Sequence, residues 1–210
     1  MAEMHPLTQA IIDGDKARAV DLTQQCLSEG EEPGAIIETR LVPGMAVIGE
    51  QFQQDEIFVP EMLIAANAMK ASLAILEPLI AESGQRAPHR AVIGTVEGDL
   101  HDIGKNLVGM MWRGANFEVI DLGVNVSPSA FAQAAREHEP DIVGMSALLT
   151  TTMPRMRAAV AAVKASGVAT KVIIGGAPVS QEFADEVEAD GFAADAGAAA
   201  EIAKSVIGAA

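Results

Sequence analysis

The densest set of chemically capable side chains in this sequence lies in one stretch, Gly94-Thr95-Val96-Glu97-Gly98-Asp99-Leu100-His101-Asp102-Ile103-Gly104-Lys105-Asn106, which holds three glycines, three acids and a histidine. The stretch is too charged to be a mere turn, and its acids and imidazole are groups that could ligate a metal. Three readings compete on these residues alone. A phosphate-cradling loop needs four residues between its glycines and then Lys-Ser/Thr, whereas Gly98 and Gly104 are separated by five and Asn106 follows Lys105, so the spacing fails. A divalent-metal site of Asp99, His101 and Asp102 is chemically possible, but no second His or Cys cluster completes its ligand set. A solvated loop with a capping aspartate would be the favoured account of an isolated Asp-x-His.

Two later clusters keep company with this loop. Ser146-x-Leu148, with Thr150 and Thr152 close behind, follows one β-branched run, and Gly175-Gly176-Ala177 ends another. Taken singly, the hydroxyls could be helix N-caps and the glycines an ordinary strand-to-helix turn. Residues with little or no side chain also let another group approach the backbone closely.

The elements that must position these loops fall into two halves. From about Leu7 to Ile80 the apolar residues recur at helical spacing, with Ile37, Leu41, Ile48 and Phe52 on one stripe and Met62, Ala66, Met69, Leu73 and Leu76 on another. Pro60 and Glu61 open the second of these helices, as a first-turn proline and an acid near the positive end of the helix dipole. Asp13-Gly14-Asp15 and Gly30-Glu31-Glu32-Pro33-Gly34 read as breaks, and Pro43-Gly44 as a kink, which gives about four helices in a small antiparallel bundle. Residues 82–90, with Gly84 and Pro88, form the linker. Beyond it, short β-branched runs at 91–96, 118–122, 141–145 and 171–174, with a weaker one at 192–194, alternate with amphipathic stretches. That is the pattern of βαβ units and a parallel sheet covered on both faces, whose ligands bind beyond the carboxyl ends of the strands. The expected fold class is α/β: a four-helix bundle over residues 1–84, then a Rossmann-like, flavodoxin-like parallel-sheet domain over residues 90–210.

Composition narrows the function classes. Half of the 210 residues are hydrophobic but only 3% are aromatic, so a real and mainly aliphatic core is expected. A formal charge of −15 argues against a nucleic-acid partner, because such affinity rests on Lys and Arg displacing counterions. The single Cys26 cannot form an internal disulfide, and the N-terminus carries Glu3 and Asp13 where a signal peptide needs basic and apolar stretches, so the cytoplasm is expected. No run approaches the roughly 18 consecutive apolar residues of a membrane span.

Asp99-x-His101-x-x-Gly104, then 41 residues, Ser146-x-Leu148, then 26 residues and Gly175-Gly176 resembles the cobalamin-binding domain of methionine synthase and corrinoid proteins. Leu41-Val42-Pro43-Gly44-Met45 and Phe58-Val59-Pro60-Glu61-Met62-Leu63 look like the helical cap of the same family, so the resemblance spans almost the whole chain. It implies cobalamin as cofactor, held base-off with His101 as the lower axial ligand of cobalt, Asp99 as its carboxylate partner and Thr152 as the hydroxyl continuing that chain. It further implies Gly98, Leu100, Asp102, Ile103 and Gly104 around the ligand, and Ser146, Leu148, Thr150, Gly175, Gly176 and Ala177 beside the buried nucleotide tail. Phe58 aligns with an aromatic that covers the methyl-bearing face of the corrin, though a plain core residue of the bundle would look the same. The implied role is a methyl carrier cycling between methylcobalamin and cob(I)alamin. Its partners would be a substrate-specific methyltransferase of the methylamine, methanol, betaine or aryl methyl ether type, an acceptor methyltransferase using tetrahydrofolate or a thiol, and a reductive activase. No second cluster able to activate a methyl donor is visible, the four histidines being scattered at His5, His89, His101 and His138. Two rivals share the resemblance. A cobalamin-responsive regulator would carry a DNA-binding domain, for which there is no basic segment, and the small subunit of an adenosylcobalamin mutase would not need the helical cap.

Overall fold

The His5 imidazole and Pro6 begin the first helix: Nδ1 accepts the Leu7 N–H at 3.2 Å while the proline fixes the first turn of α1 (Pro6–Ile12). These elements come from a computed structural model that describes residues 4–82 and 87–209. Asp15 caps α2 (Lys16–Ser28) by accepting the Arg18 N–H at 3.0 Å. A short α3 (Pro33–Ile36) runs through a wide π-helical turn (Ile37–Leu41) into α4 (Val42–Gln53). This turn stands where a kink is expected from Pro43. The proline has no N–H for the carbonyl four residues back, and the Val42 N–H reaches five residues back to Ile37. α5 (Val59–Glu82) opens as expected on Pro60 and Glu61, whose carboxylate accepts the Phe58 N–H at 3.1 Å.

The chain divides into two compact units, one of residues Met1–Pro88 with Gly114–Asn116 and one of His89–Arg113 with Phe117–Ala210. Residues 83–86 of the expected linker lie outside the described residues, and His89 and Arg90 already belong to a strand. In the first unit Leu7, Ile11, Ile36, Leu41, Met45, Ile48, Met62 and Leu76 are fully buried. A Cβ on Gly44 would meet that of Ile11 at 2.9 Å, so glycine there lets α1 and α4 pack closely. Thr23 and Ser72 share a buried hydroxyl hydrogen bond of 3.0 Å between α2 and α5. By length and composition the stretch Val59–Ile80 could cross a membrane, a property that counting unbroken apolar runs misses because Glu61, Lys70 and Glu77 interrupt it. One side of it is bundle core, with Met62, Ala65, Ala68, Met69 and Leu76 buried.

The second unit alternates β1 (His89–Thr95), α6 (Ile103–Gly114), β2 (Phe117–Asp121), α7 (Pro128–His138), β3 (Ile142–Ser146), a 3-10 turn (Thr150–Thr152), α8 (Met153–Lys164), β4 (Lys171–Gly175), α9 (Gln181–Glu186), β5 (Gly191–Ala193) and α10 (Ala196–Ile207). All neighbouring strands are parallel, in the order β2-β1-β3-β4-β5. Strand order reverses between β1 and β3, so the loops leaving those two strands diverge to opposite faces and open a crevice there. The core is mainly aliphatic; besides Phe117 it holds Phe131 and Trp112, each seated by a glycine in the strand beneath it. Phe131 lies 3.0 Å from where a Cβ of Gly94 would be, and Trp112 lies 2.5 Å from that of Gly144. Trp112 donates its indole N–H to the Ala199 carbonyl at 3.0 Å, tying α6 to α10.

Candidate functional site

The loops after β1 and β3 meet at Asp99, which is completely buried. Its Oδ1 accepts the His101 N–H at 3.0 Å and faces His101 Nδ1 at 2.7 Å. Its Oδ2 accepts the Leu148 N–H at 2.7 Å, the Leu149 N–H at 3.3 Å and the Thr152 hydroxyl at 3.0 Å. Burial alone would push this carboxyl up, but the donors from Leu148, His101 and Thr152 outweigh it and hold Asp99 well below the usual carboxylate range. An ionised Asp99 can only accept, so His101 Nδ1 is the donor of this contact, and Nε2 is the nitrogen left to face a ligand. The His101 side chain is 53% exposed, so that nitrogen is accessible.

Asp102 turns the other way, accepting the Asn106 side-chain amide at 3.1 Å, so the alternative cation site of Asp99, His101 and Asp102 is not assembled. Thr95, fully buried, donates its hydroxyl to the His101 carbonyl at 2.9 Å. His101 is thereby held by its ring, its N–H and its C=O. Around it, Leu100, Ile103, Leu148 and Leu149 all leave large aliphatic side chains exposed. Several such residues on converging loops mark a ligand-binding surface. A solvent-facing imidazole with its far nitrogen fixed by a buried carboxylate, rimmed by aliphatic side chains at a topological switch point, fits a planar metal macrocycle ligated from below.

The other expected positions are placed as follows. Gly98 has a positive φ of +84° beside Thr152, and Gly104 opens α6 where a Cβ would meet nothing within 4 Å. Ser146 ends β3 half-buried, Thr150 is exposed at the start of the 3-10 turn, and Ala177 is exposed after β4. Gly175 and Gly176 have a reason that the sequence does not display. A Cβ on Gly175 would lie 2.8 Å from the Ala193 carbonyl, and one on Gly176, at φ +123°, would lie 1.9 Å from the Ala147 carbonyl. The protein's own backbone already demands glycine there. Phe58 is 64% exposed, which removes the plain-core reading for it.

Several contributors escape a search by residue type: the Leu148 and Leu149 amides, Thr95, and Lys105, which is buried and pairs with Asp121. Of these, only Lys105 is a charged residue type standing in the loop sequence itself, and its burial shows only in the fold. In the first unit His5, Cys26 and Glu31, distant in sequence, bring ligating atoms within 4.8 Å of one another, contrary to the scattering read from the sequence. Each is already engaged. His5 Nδ1 caps α1, Glu31 pairs with Arg40 at 3.1 Å, and burial together with a Glu31 hydrogen bond pushes the Cys26 thiol up to about 11.

Comparison with known proteins points to the same class of ligand. Residues 89–205 match a family described as B12 binding domain, and residues 4–77 match a second family of that description. The chain is 41% identical to a corrinoid protein of Desulfitobacterium hafniense (strain Y51), over 99% of each chain. It is 38% identical to trimethylamine corrinoid protein 1 of Methanosarcina acetivorans, over 86% of each. Its fold is similar to the methanol:cobalamin methyltransferase complex from Methanosarcina barkeri, with a TM-score of 0.84 and 27% identity over 99% of this chain and 80% of that one. The chain belongs to the corrinoid proteins, the B12-binding components related to cobalamin-dependent methyl transfer. It binds cobalamin.

Proposed function

We propose that this protein is a methyl carrier that holds cobalamin with His101 as the lower axial ligand and shuttles a methyl group between a donor-specific and an acceptor methyltransferase. The observation that carries the proposal is the 2.7 Å contact of His101 Nδ1 with buried Asp99, which leaves Nε2 available as a ligand. When bound, the corrin cobalt supplies the nucleophile that takes up a methyl group and the centre that later releases it. The chain's residues supply orientation. Asp99 would keep the proton on Nδ1 and so leave Nε2 as the nitrogen able to hold the metal. Leu100, Ile103 and Leu148 offer aliphatic surface to the corrin. Ser146, Thr150, Gly175, Gly176 and Ala177 would flank the nucleotide tail, and the exposed Phe58 would be the ring offered to the methyl-bearing face.

Relatives named for trimethylamine and dimethylamine, and a solved methanol complex, support a donor of the methylamine or methanol kind, with betaines and aryl methyl ethers as the other donors proposed. The acceptor methyltransferase would use tetrahydrofolate or a thiol, a reductive activase would return oxidised cofactor to service, and the cytoplasm is the proposed site of action. Amines, alcohols and ethers have poor leaving groups, so a carrier alone should not demethylate them. The test follows the absorption change on methylation of the reduced holo-protein with each donor, with and without its methyltransferase. Methylation only with the partner is expected; rapid, saturable methylation by a donor alone would show an enzyme instead.

A further inference from the structure

We infer that Asn125, in the loop after β2, is a positioning residue for the Asp99–His101 pair, an inference that rests on His101 being the axial ligand. The Asn125 side-chain carbonyl accepts the Gly98 N–H at 2.8 Å, and the Asn125 backbone N–H donates to the Asp99 carbonyl at 3.0 Å. One residue thus grips two consecutive residues of the loop, from the side chain and from the main chain. Asn125 does so at φ +55°, a left-handed conformation that asparagine tolerates better than most side chains.

The grip is anchored. Lys105, almost wholly buried in the first turn of α6, pairs with Asp121 at the end of β2. The other oxygen of Asp121 accepts the Gly123 N–H at 2.8 Å and shapes the turn that brings Asn125 round. The loop is then stitched to the end of β1, with Thr95 N–H donating to the Gly123 carbonyl at 3.0 Å and Val126 N–H to the Thr95 carbonyl at 2.9 Å. Thr95 is the residue whose hydroxyl holds the His101 carbonyl. Two loops therefore hold Asp99 in different ways. The loop after β3 fixes its carboxylate through Leu148, Leu149 and Thr152, and the loop after β2 fixes its backbone through Asn125.

Gly98, at φ +84°, offers little resistance of its own to a shift of that backbone. Without the Asn125 carboxamide the Gly98–Asp99 segment can relax while the carboxylate stays docked. The imidazole then tilts away from the position that ligation needs. Asn125 is exposed and outside the hydrophobic core, so its removal should alter geometry at His101 more than global stability.

The test uses reduced, cobalamin-loaded protein at full length, with the cob(II) state read by electron paramagnetic resonance and by the cob(II)/cob(I) midpoint. Asn125→Gly keeps the positive φ and the backbone donor and removes only the carboxamide. It should lower the ratio of His-on to His-off cofactor by about 3- to 10-fold, the scale of one lost hydrogen bond. The midpoint should become less negative, because cobalt without its axial donor accepts an electron more readily. Asn125→Asp, which retains an acceptor oxygen, should restore the wild-type spectrum, and the melting temperatures of all forms should stay close together. A wild-type spectrum and midpoint in Asn125→Gly would overturn the inference. So would a spectral change in both variants that tracks a lowered melting temperature, since that is general loosening. Survival of the protein-nitrogen coupling in His101→Ala would instead remove the axial-ligand reading beneath it.

Discussion

Asp99 concentrates the energetics of the site in one carboxylate, whose two oxygens face donors from His101, Leu148, Leu149 and Thr152 with no exposure to water. The Thr152 hydroxyl has one proton to share between Asp99 and the Leu149 carbonyl at 2.8 Å, so its support of Asp99 is divided. Asp99→Asn must turn an amide donor toward a buried donor, and we expect a loss of roughly 1–3 kcal/mol of stability at neutral pH. Because folding depresses this carboxyl, its contribution is complete above the unfolded value of about 3.9 and is lost as pH falls through the lower folded value. Chemical denaturation at neutral pH and near pH 3 should therefore show the variant's deficit shrinking in acid. A deficit independent of pH would mean that the charge contributes nothing. The Asp-x-His pair was legible in the sequence through its spacing to Ser146-x-Leu148 and Gly175-Gly176, since an isolated Asp-x-His reads as a capped loop. The Leu148 and Leu149 amides and the Asn125 grip were not, because a backbone donor has no residue-type signature.

Glycines separate what the elements need from what the ligand needs. Gly176→Ala would drive a Cβ into the Ala147 carbonyl at a φ of +123°, and a stability loss of roughly 3 kcal/mol or more is expected with or without cobalamin. Gly104→Ala meets no atom within 4 Å on the first turn of α6, and the apo-protein should gain about 0.5–1 kcal/mol. Its cobalamin affinity should fall if the corrin lies against that turn. Calorimetric melts and cobalamin titrations of the two variants check both statements, and equal effects on apo stability would refute the distinction. The strands were legible to within a residue or two because β-branched runs and helical spacing differ in period, and the crevice followed from the order of elements. The π-helical turn at Ile37–Leu41 was not, since Pro43 announces a break in hydrogen bonding but not how the preceding turn absorbs it.

At the scale of the whole molecule, a helical unit and a sheet unit each match a B12-binding family, while the net charge of −15 leaves the surface suited to partners with basic docking faces. Binding to the folded state alone should raise the melting temperature with added cobalamin, by the equivalent of about 2.7 kcal/mol at a hundredfold excess over Kd. His101→Ala should retain part of that gain through the nucleotide and corrin contacts. The donor was not legible because, on the proposed reading, the pocket that selects it would belong to a partner, and His5, Cys26 and Glu31 came together only through the packing of distant segments. The measurement closest to the central claim is electron paramagnetic resonance of the cob(II) holo-protein. Cobalt hyperfine lines further split by one protein nitrogen are expected, with that splitting abolished in His101→Ala while cobalamin remains bound. Splitting that survives the substitution, or that is absent from the unaltered protein, would contradict it.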